Sequence, residues 1–314
     1  MGPWLPVLLI GCIVAACADG KTSPDSDSAE DPPSDGVDSG HESDTDDTPR
    51  DSGEGVVERR CNGLPQLCDR RLDEVTFAGT HNSMSNADAG WLIPNQQHGL
   101  SRQLADGVRS LMLDTHDYWG EPYLCHFSCE LGKQPLHEGL QEIRDFLDEN
   151  PDEVIVLIIQ DGISAGVTEE VFAEVGLADA SWVPPSGPEP LPTLRALLDA
   201  GTPLVVTAEV ARPPPAWYLH AWDLVVDTPY SFSDISDFQC DLNRGAAVNP
   251  LFLVNHWLST PLASEDGAIE ANALEVLQSR VDACDAMHSR RVNIVAVDFY
   301  NHGGLFELVE RMNE

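Results

Sequence analysis

Seven polar residues whose side chains suit acid–base or metal chemistry directly follow short apolar runs of the chain. Two of them are histidines, and imidazole titrates near neutral pH, so a pair at one site can serve as general base and general acid. We therefore predict acid–base chemistry centred on His81, with His126 as the second histidine and Asp298 as a carboxylate that orients a ring. The candidates are His81, Asn82, Asp114, His126, Gln160, Asp161 and Asp298.

The apolar runs before these residues are rich in Val, Ile and Leu and recur from residue 72 on. Near-continuous apolar runs of this length are typical of strands buried on both faces, as in a parallel sheet covered by helices. The predicted strands are Val75 to Gly79, Val108 to Leu113, Tyr123 to Cys125, Val154 to Ile159, Leu204 to Thr207, Leu224 to Val226, Leu251 to Val254 and Ile294 to Val297.

Helical patterns lie between several of these strands, most clearly at Leu136 to Glu149, Leu194 to Ala200 and Ala271 to His288. Strands that alternate with helices predict an α/β fold, and chemistry gathered at the carboxyl ends of eight strands indicates a (β/α)8 TIM-type barrel, complete or distorted. In a closed barrel the first and last strands are neighbours, which would bring Asp298 to His81. An open doubly wound sheet is the alternative, but no Gly-x-Gly-x-x-Gly sequence follows the first strand.

The first 16 residues have the pattern of an export signal. Their apolar run, Trp4 to Ala16, is shorter than the ~20 residues that a membrane-spanning helix needs. It ends in Val14-Ala15-Ala16-Cys17, which is similar to the lipobox of bacterial lipoproteins, where the cysteine becomes lipidated. We predict export as a lipoprotein anchored to a membrane through Cys17, with cleavage and secretion as the alternative.

Residues 17–58 consist mainly of Asp, Ser, Gly, Pro, Glu and Thr. Such a segment cannot bury enough apolar surface to offset the entropy of ordering, so we predict a disordered acidic linker ahead of one domain at residues 59–314. The formal net charge of −36 and the presence of Lys only at positions 21 and 133 exclude a nucleic-acid partner, which needs a basic surface. A monomer is expected.

Six of the eight cysteines lie in the predicted domain, and an even number in an exported protein favours disulfides. Proximity in the sequence favours the pairs Cys61 with Cys68, Cys125 with Cys129 and Cys240 with Cys284, among about 15 connectivities that six cysteines allow. A zinc site is disfavoured because no Cys-x2-Cys pair is present.

Five ordered motifs carry a resemblance to a known family, the phosphatidylinositol-specific phospholipase C X-domain superfamily, and within it the branch of PLC-like phosphodiesterases. Each motif alone is weak, but their order and spacing cover nearly the whole predicted domain. They are Gly79-Thr80-His81-Asn82-Ser83, Gln103-Leu104 through Gly107-Val108-Arg109-Ser110-Leu111-Met112-Leu113-Asp114, Leu124-Cys125-His126, Phe146-Leu147 through Asn150-Pro151-Asp152-Glu153-Val154-Ile155, and Val295-Ala296-Val297-Asp298-Phe299-Tyr300.

The resemblance implies the roles of the two histidines. By position, His81 resembles the histidine that engages the attacking 2-hydroxyl and the phosphate, and His126 resembles the one that protonates the leaving oxygen. Attack by a neighbouring inositol hydroxyl would give a cyclic phosphate and diacylglycerol. Substrate contacts are expected from His116, in the loop after Asp114, and from Arg244.

The resemblance also implies a calcium ion. Asn82 and Asp114 match the pattern of the calcium-dependent members, and Asp114 stands where the metal-independent bacterial members have an arginine. Met112 and Gln160 replace two acids of the calcium pattern. Calcium accepts amide oxygens, so we predict a weak site made by Asn82, Asp114 and Gln160 that fills only when substrate is present.

The leading expectation is a phosphoric diester hydrolase or lyase that cleaves a phospholipid or an inositol phosphodiester. Basic residues that would read a multiply phosphorylated inositol ring are scarce, which favours a neutral headgroup. One alternative is another headgroup, such as a glycerophosphodiester or a sphingolipid. The other is a surface-binding barrel with weak catalysis, suggested by Met112 and Gln160.

Overall fold

A computed structural model of the chain describes residues 58–187, 189–210, 215–259 and 262–314, and these residues belong to one compact unit. The predicted signal segment at residues 1–16, the predicted lipid-bearing Cys17 and the rest of the linker up to residue 57 lie outside the described residues. Within the described ranges, no helix is long and apolar enough to cross a lipid bilayer.

The strands of the described chain are short, as the apolar runs predict. They are β1 (Phe77–Thr80), β2 (Ser110–Tyr118), β3 (Glu121–Leu124), β4 (Gln134–Pro135), β5 (Ile155–Gly162), β6 (Leu204–Ala208), β7 (Tyr218–His220), β8 (Val225–Asp227), β9 (Leu251–His256) and β10 (Ile294–Val297).

The α-helices lie between these strands and after the last one, and single turns of 3-10 helix occur at Pro65–Leu67, Leu72–Glu74 and Ile235–Asp237. The α-helices are α1 (Leu100–Asp106), α2 (Leu136–Glu149), α3 (Ala165–Glu174), α4 (Leu194–Asp199), α5 (Ala221–Leu224), α6 (Glu265–Ala271), α7 (Leu274–His288) and α8 (Leu305–Asn313).

Parallel strands form one curled sheet in the order β7-β6-β5-β2-β1-β10-β9-β8. The first strand of the chain pairs with the last, and the remaining neighbours follow chain order, which is barrel topology and excludes the doubly wound alternative. Among the described residues β7 and β8 do not pair with each other, so the barrel is open at that seam. The predicted α/β barrel is thus confirmed in a distorted, half-open form.

One predicted barrel strand is wrong. In the predicted strand Tyr123 to Cys125, the first two residues belong to β3, which runs antiparallel to β2 and forms a hairpin beside the barrel, and Cys125 follows it. Trp119 and Gly120 make its turn with left-handed backbone angles, φ 61° and 90°. The strand that instead completes the parallel set is β7, which the sequence analysis missed because three residues are too few to show a period.

The helix predicted from Ala271 to His288 is present as α7, but it begins three residues later, at Leu274. A separate helix, α6, ends at Ala271. Between them the side-chain amide of Asn272 donates a hydrogen bond to the backbone oxygen of Asp298 at 2.8 Å, and its backbone oxygen accepts one from Gly304. The interruption therefore ties the α6–α7 junction to the end of β10.

Side chains alternate between the two faces of the curled sheet. Phe77, Met112, Ile158, Leu253 and Ala296 pack together in one apolar cluster, while the residues next to them in the strands pack in a second cluster with the helices. The first cluster fills the barrel interior. Polar residues continue the same inward-facing rows at the carboxyl ends of the strands, so a polar layer covers an apolar floor.

The three predicted disulfides are all present. Cys61–Cys68 packs with the interior cluster, Cys125–Cys129 encloses the segment that contains His126, and Cys240–Cys284 joins the loop after β8 to α7. Two of these bridges therefore fix loops at the carboxyl-terminal end of the barrel.

Candidate active site

His81 and Asp298 lie side by side because β1 and β10 are parallel neighbours. Thr80 is in register with Val297, so the next residue of each strand reaches the same edge of the sheet. Nδ1 of His81 lies 2.9 Å from Oδ1 of Asp298. Since the carboxylate accepts the Nδ1 hydrogen, Nε2 of the neutral ring carries a lone pair that can take a proton.

A buried asparagine links this pair to the second histidine. Nδ2 of Asn95 donates a hydrogen bond to Oδ1 of Asp298 at 3.1 Å, and its Oδ1 accepts one from Nδ2 of Asn82 at 3.2 Å. The same Nδ2 of Asn82 lies 3.0 Å from Nε2 of His126. A continuous chain of hydrogen bonds thus runs from His81 through Asp298, Asn95 and Asn82 to His126.

The two histidine rings lie next to each other in a T-shaped arrangement, with centroids 6.3 Å apart and planes at 73°. Burial, together with the nearby His81 and His116, lowers the pKa of His126 to about 4. Because the amide nitrogen of Asn82 can only donate, Nε2 of the neutral His126 ring accepts and its hydrogen is on Nδ1.

A tryptophan covers one face of His81. The ring of Trp257 stacks on the imidazole with a centroid distance of 3.8 Å and an angle of 5° between the planes. Trp257 follows β9, the strand next to β10, and only 3% of it is exposed. The His81 ring is therefore held by a hydrogen bond at its edge and a flat contact on its face.

Asp114 and Gln160 are register partners on β2 and β5 at the same end of the barrel. Burial raises the pKa of Asp114 to about 7, an effect that His81 opposes and Glu209 increases. None of the described residues donates a hydrogen bond to the Asp114 carboxylate or to Oδ1 of Asn82. Met112 is two residues before Asp114 on the same face and lies in the apolar floor.

The residues fit a weakly held cation only in part. Asp114, Asn82 and Gln160 line one cavity. The Asp114 carboxylate and the side-chain oxygen of Asn82 accept no hydrogen bond from the described residues, and both are oxygen ligands of the type that calcium binds. However, the described part of the chain contains no cluster of three His, Cys, Asp or Glu side chains able to hold a metal ion. A cation here would need amide oxygens and oxygens from the substrate.

The cavity has a volume of about 580 Å³. Its floor contains His81, Asn82, Asp114, His126 and Gln160. His116, which was predicted to lie in the loop after Asp114, is instead on β2 and also lines the cavity. No lysine or arginine is among the described residues that line this cavity.

Large apolar side chains surround the opening of the same cavity, and each is substantially exposed. This apolar rim consists of Ile93 (39% exposed), Phe127 (70%), Tyr230 (44%) and Leu262 (50%).

Arg244 does not line the cavity within the described residues. Its guanidinium donates to Oδ2 of Asp227 at 2.6 Å and to Oε2 of Glu209 at 3.0 Å, and it stacks between the rings of Trp222 and Tyr230. The role predicted for it, direct contact with substrate, would require it to leave these partners or to act through Tyr230 on the rim.

Asp161 is likewise outside the cavity lining, and its carboxylate accepts a hydrogen bond from the backbone of Val210 at 2.8 Å. Sequence reasoning missed Asn95, which follows no strand and gives no periodic signal, and Trp257, which follows a predicted strand closely enough for its position to have indicated it.

The half-open α/β barrel and the pairing of a carboxylate-oriented histidine with a second histidine are the arrangement that the resemblance to PLC-like phosphodiesterases predicts. The family model described as PI-PLC X 1 matches residues 67–313. The chain therefore belongs to the PI-PLC X family.

Curated relatives and solved structures agree with this assignment. The chain is similar to PI-PLC X domain-containing protein 1 of Arthroderma benhamiae, with 32% identity over 276 residues that cover 81% of this chain and 89% of the relative. A second relative, called an uncharacterized secreted protein of the same fungus, is 28% identical; the match covers 81% of this chain and 64% of that protein. The phosphatidylinositol-specific phospholipase C of Listeria monocytogenes shares the fold, with a TM-score of 0.57 and 19% identity, over 82% of this chain and 100% of that one.

Proposed function

We propose that this protein is an exported phosphoric diester hydrolase of the phosphatidylinositol phospholipase C type, acting on a lipid or inositol phosphodiester. The observation that carries the proposal is the pair of histidines that line one cavity with 6.3 Å between their ring centroids, one ring being held by a buried carboxylate.

The proposed reaction is an intramolecular displacement at phosphorus. Nε2 of His81 takes the proton of the 2-hydroxyl while its oxygen forms a bond to phosphorus and the bond from phosphorus to the glycerol oxygen breaks. His126 gives a proton to that leaving oxygen, and the products are a cyclic phosphate and diacylglycerol. The attacking group is already next to the phosphate, so little of the barrier comes from bringing reactants together.

The low pKa of His126 applies to the protein without substrate. A phosphodiester anion between the two rings favours the protonated form of any imidazole beside it, because opposite charges attract strongly in a partly buried site. His126 would therefore acquire the proton that it donates when the substrate enters.

The surroundings of the cavity support a lipid with a neutral headgroup. Its described lining contains histidines, amides and one aspartate but no cationic side chain that would bind additional phosphates. The apolar rim is continuous with this polar floor, an arrangement suited to a bilayer surface with the headgroup inserted.

Calcium is the proposed cofactor, held weakly by Asn82, Asp114 and Gln160 together with substrate oxygens. When bound, a divalent cation supplies positive charge to the phosphate oxygens as negative charge grows on them. Chelator-resistant turnover at full rate would contradict this part of the proposal.

Export is supported by the three disulfides and by the relative that is called a secreted protein. We propose in addition that the chain is a lipoprotein anchored through Cys17 and acts as a monomer. Radiolabelled fatty acid incorporation that depends on Cys17 would test the anchor.

The purified protein should be offered phosphatidylinositol vesicles, glycerophosphoinositol and sphingomyelin, each with calcium and with EGTA, beside His81→Ala. We expect calcium-stimulated release of a cyclic phosphate from phosphatidylinositol that is lost in the variant. Turnover of one of the other phosphodiesters, but not of phosphatidylinositol, would show that the substrate is different from the one proposed. No turnover of any of them, with retained binding to vesicles, would favour the second candidate, a binding barrel, which is suggested because Asp114 is the one carboxylate among the described residues that line the cavity.

A further inference from the structure

We propose that Trp257 is a positioning residue that sets the ring plane of His81, and this inference rests on the function proposed above. The indole and imidazole planes differ by 5° and their centroids are 3.8 Å apart, which is full face-to-face contact. Both residues line the same cavity, so the stack is part of the site itself.

The hydrogen bond to Asp298 does not fix the His81 ring by itself. It holds one edge of the ring through Nδ1, whereas the reacting Nε2 is on the far side. The χ2 torsion of histidine is broad and roughly two-fold, so a ring held at one edge can rock. A flat contact over the ring face restricts that motion, because any tilt moves the imidazole into the indole.

Trp257 can do this because its own backbone is rigidly held. It continues the inward-facing row of β9, and its ring packs in the interior cluster. The residue before it, His256, is fully buried, with Nε2 2.8 Å from the backbone oxygen of Ala271. Arg280 donates a hydrogen bond to the backbone oxygen of Asn255 at 2.8 Å.

The consequence concerns the direction of Nε2. Displacing a reacting group by about 1 Å costs on the order of 100-fold in rate even when the substrate still binds. Loss of the stack should therefore lower kcat much more than it changes KM. A residue that only contributed to stability would show no such selectivity once the protein is folded.

The kinetic test compares Trp257→Phe, which keeps an aromatic face, with Trp257→Met, which fills space without one. We expect kcat to fall about 10- to 100-fold in the Met variant, with KM within about threefold of wild type, and most of kcat to return in the Phe variant. Trp182→Met is the matched control, because Trp182 is a tryptophan of the same interior cluster that does not line the cavity within the described residues. Equal kcat for wild type and the Met variant, or equal losses for Phe and Met, would overturn the proposal.

A measurement independent of turnover separates this inference from the proposed function. In histidine-labelled wild-type protein, the ring protons of His81, assigned with His81→Gln, should be shifted upfield by the indole and show contacts to it. The shift should persist in Trp257→Phe and vanish in Trp257→Met. Absence of the shift and contacts in wild type would overturn the inference without any variant, whereas a normal shift in a protein that cleaves no phosphodiester would refute the proposed function alone.

Discussion

Replacing Asp298 tests how far His81 depends on its carboxylate partner. Asp298 is 3% exposed, and its Oδ1 accepts from both His81 and Asn95, at 2.9 and 3.1 Å. Asp298→Asn keeps the volume and an acceptor oxygen but removes the charge. Asp298→Ala removes the acceptor as well, and leaves two buried donors without a partner.

The expected losses follow from these contacts. A hydrogen bond to a charged group contributes roughly 1.5–3 kcal/mol, which corresponds to about 10- to 150-fold in kcat if it operates fully in the transition state. We expect the Asn variant at the lower end of this range and the Ala variant at the upper end. Thermal unfolding should be little changed for Asn and lowered for Ala, because only Ala leaves unsatisfied donors.

The assay is the initial rate on a soluble inositol phosphodiester at saturating concentration, so that vesicle binding does not enter. Both variants should bind substrate with KM close to that of wild type. If both retain kcat within about threefold of wild type, a range well below one charged hydrogen bond, the proposed coupling of His81 to Asp298 is refuted.

Three further predictions concern the surroundings of the site. Asn95→Ala removes the hydrogen-bonded link between the two histidines and should lower kcat by about tenfold, the equivalent of ~1.4 kcal/mol. Asn86→Ala is a control in the same loop and should leave kcat unchanged. Leu262→Ser should weaken sedimentation with phosphatidylinositol vesicles by about tenfold without changing kcat/KM on a soluble substrate, since burial of such a side chain contributes ~1.5–3 kcal/mol. Unchanged vesicle binding would contradict a role of the apolar rim in membrane contact. Burial and Arg280 lower the pKa of His256 to about 3, so below about pH 6.5 the unfolded chain takes up a proton that the folded protein does not. The free energy of unfolding should therefore fall by up to ~1.4 kcal/mol per pH unit below that point because of this group, and should not depend on it above that point. His256→Gln should remove this contribution to the pH dependence in urea titrations between about pH 7 and about pH 4.5, and an unaltered pH dependence would contradict the assignment.

The sequence was sufficient to predict those parts of the site that depend on strand ends. Parallel neighbours present successive residues at the same edge of a sheet, so the apolar runs before His81 and Asp298 were enough to predict that the two lie together. Asp114 and Gln160 were grouped only through the family resemblance, because the predicted strand Tyr123 to Cys125 would have separated their strands; in the structure they are register partners on adjacent strands.

Features that depend on tertiary contacts could not be predicted in this way. Tyr123 to Cys125 has the composition of a barrel strand, but the left-handed turn at Trp119 and Gly120 folds it back on β2. Asn95 is buried in a loop, where the local sequence shows no periodic pattern. Its role as a link between the histidines is evident only from the hydrogen bonds that its side-chain oxygen and nitrogen make with Asn82 and Asp298. Arg244 has a charge suited to phosphate, but Asp227 of β8 and Glu209, which follows β6, bind its guanidinium.

In the proposed mechanism, His81 accepts the proton of the attacking hydroxyl and His126 donates one to the leaving group. The decisive measurement is kcat for His81→Ala and His126→Ala on two inositol phosphodiesters, one with an alkyl and one with a nitrophenyl leaving group. A nitrophenolate leaves without protonation, and general acid catalysis contributes typically ~100- to 10,000-fold. We predict that His126→Ala lowers kcat by ~100- to 10,000-fold on the alkyl ester and far less on the nitrophenyl ester, while His81→Ala lowers kcat on both. Equal losses on the two esters for His126→Ala, or full activity for His81→Ala, would contradict it.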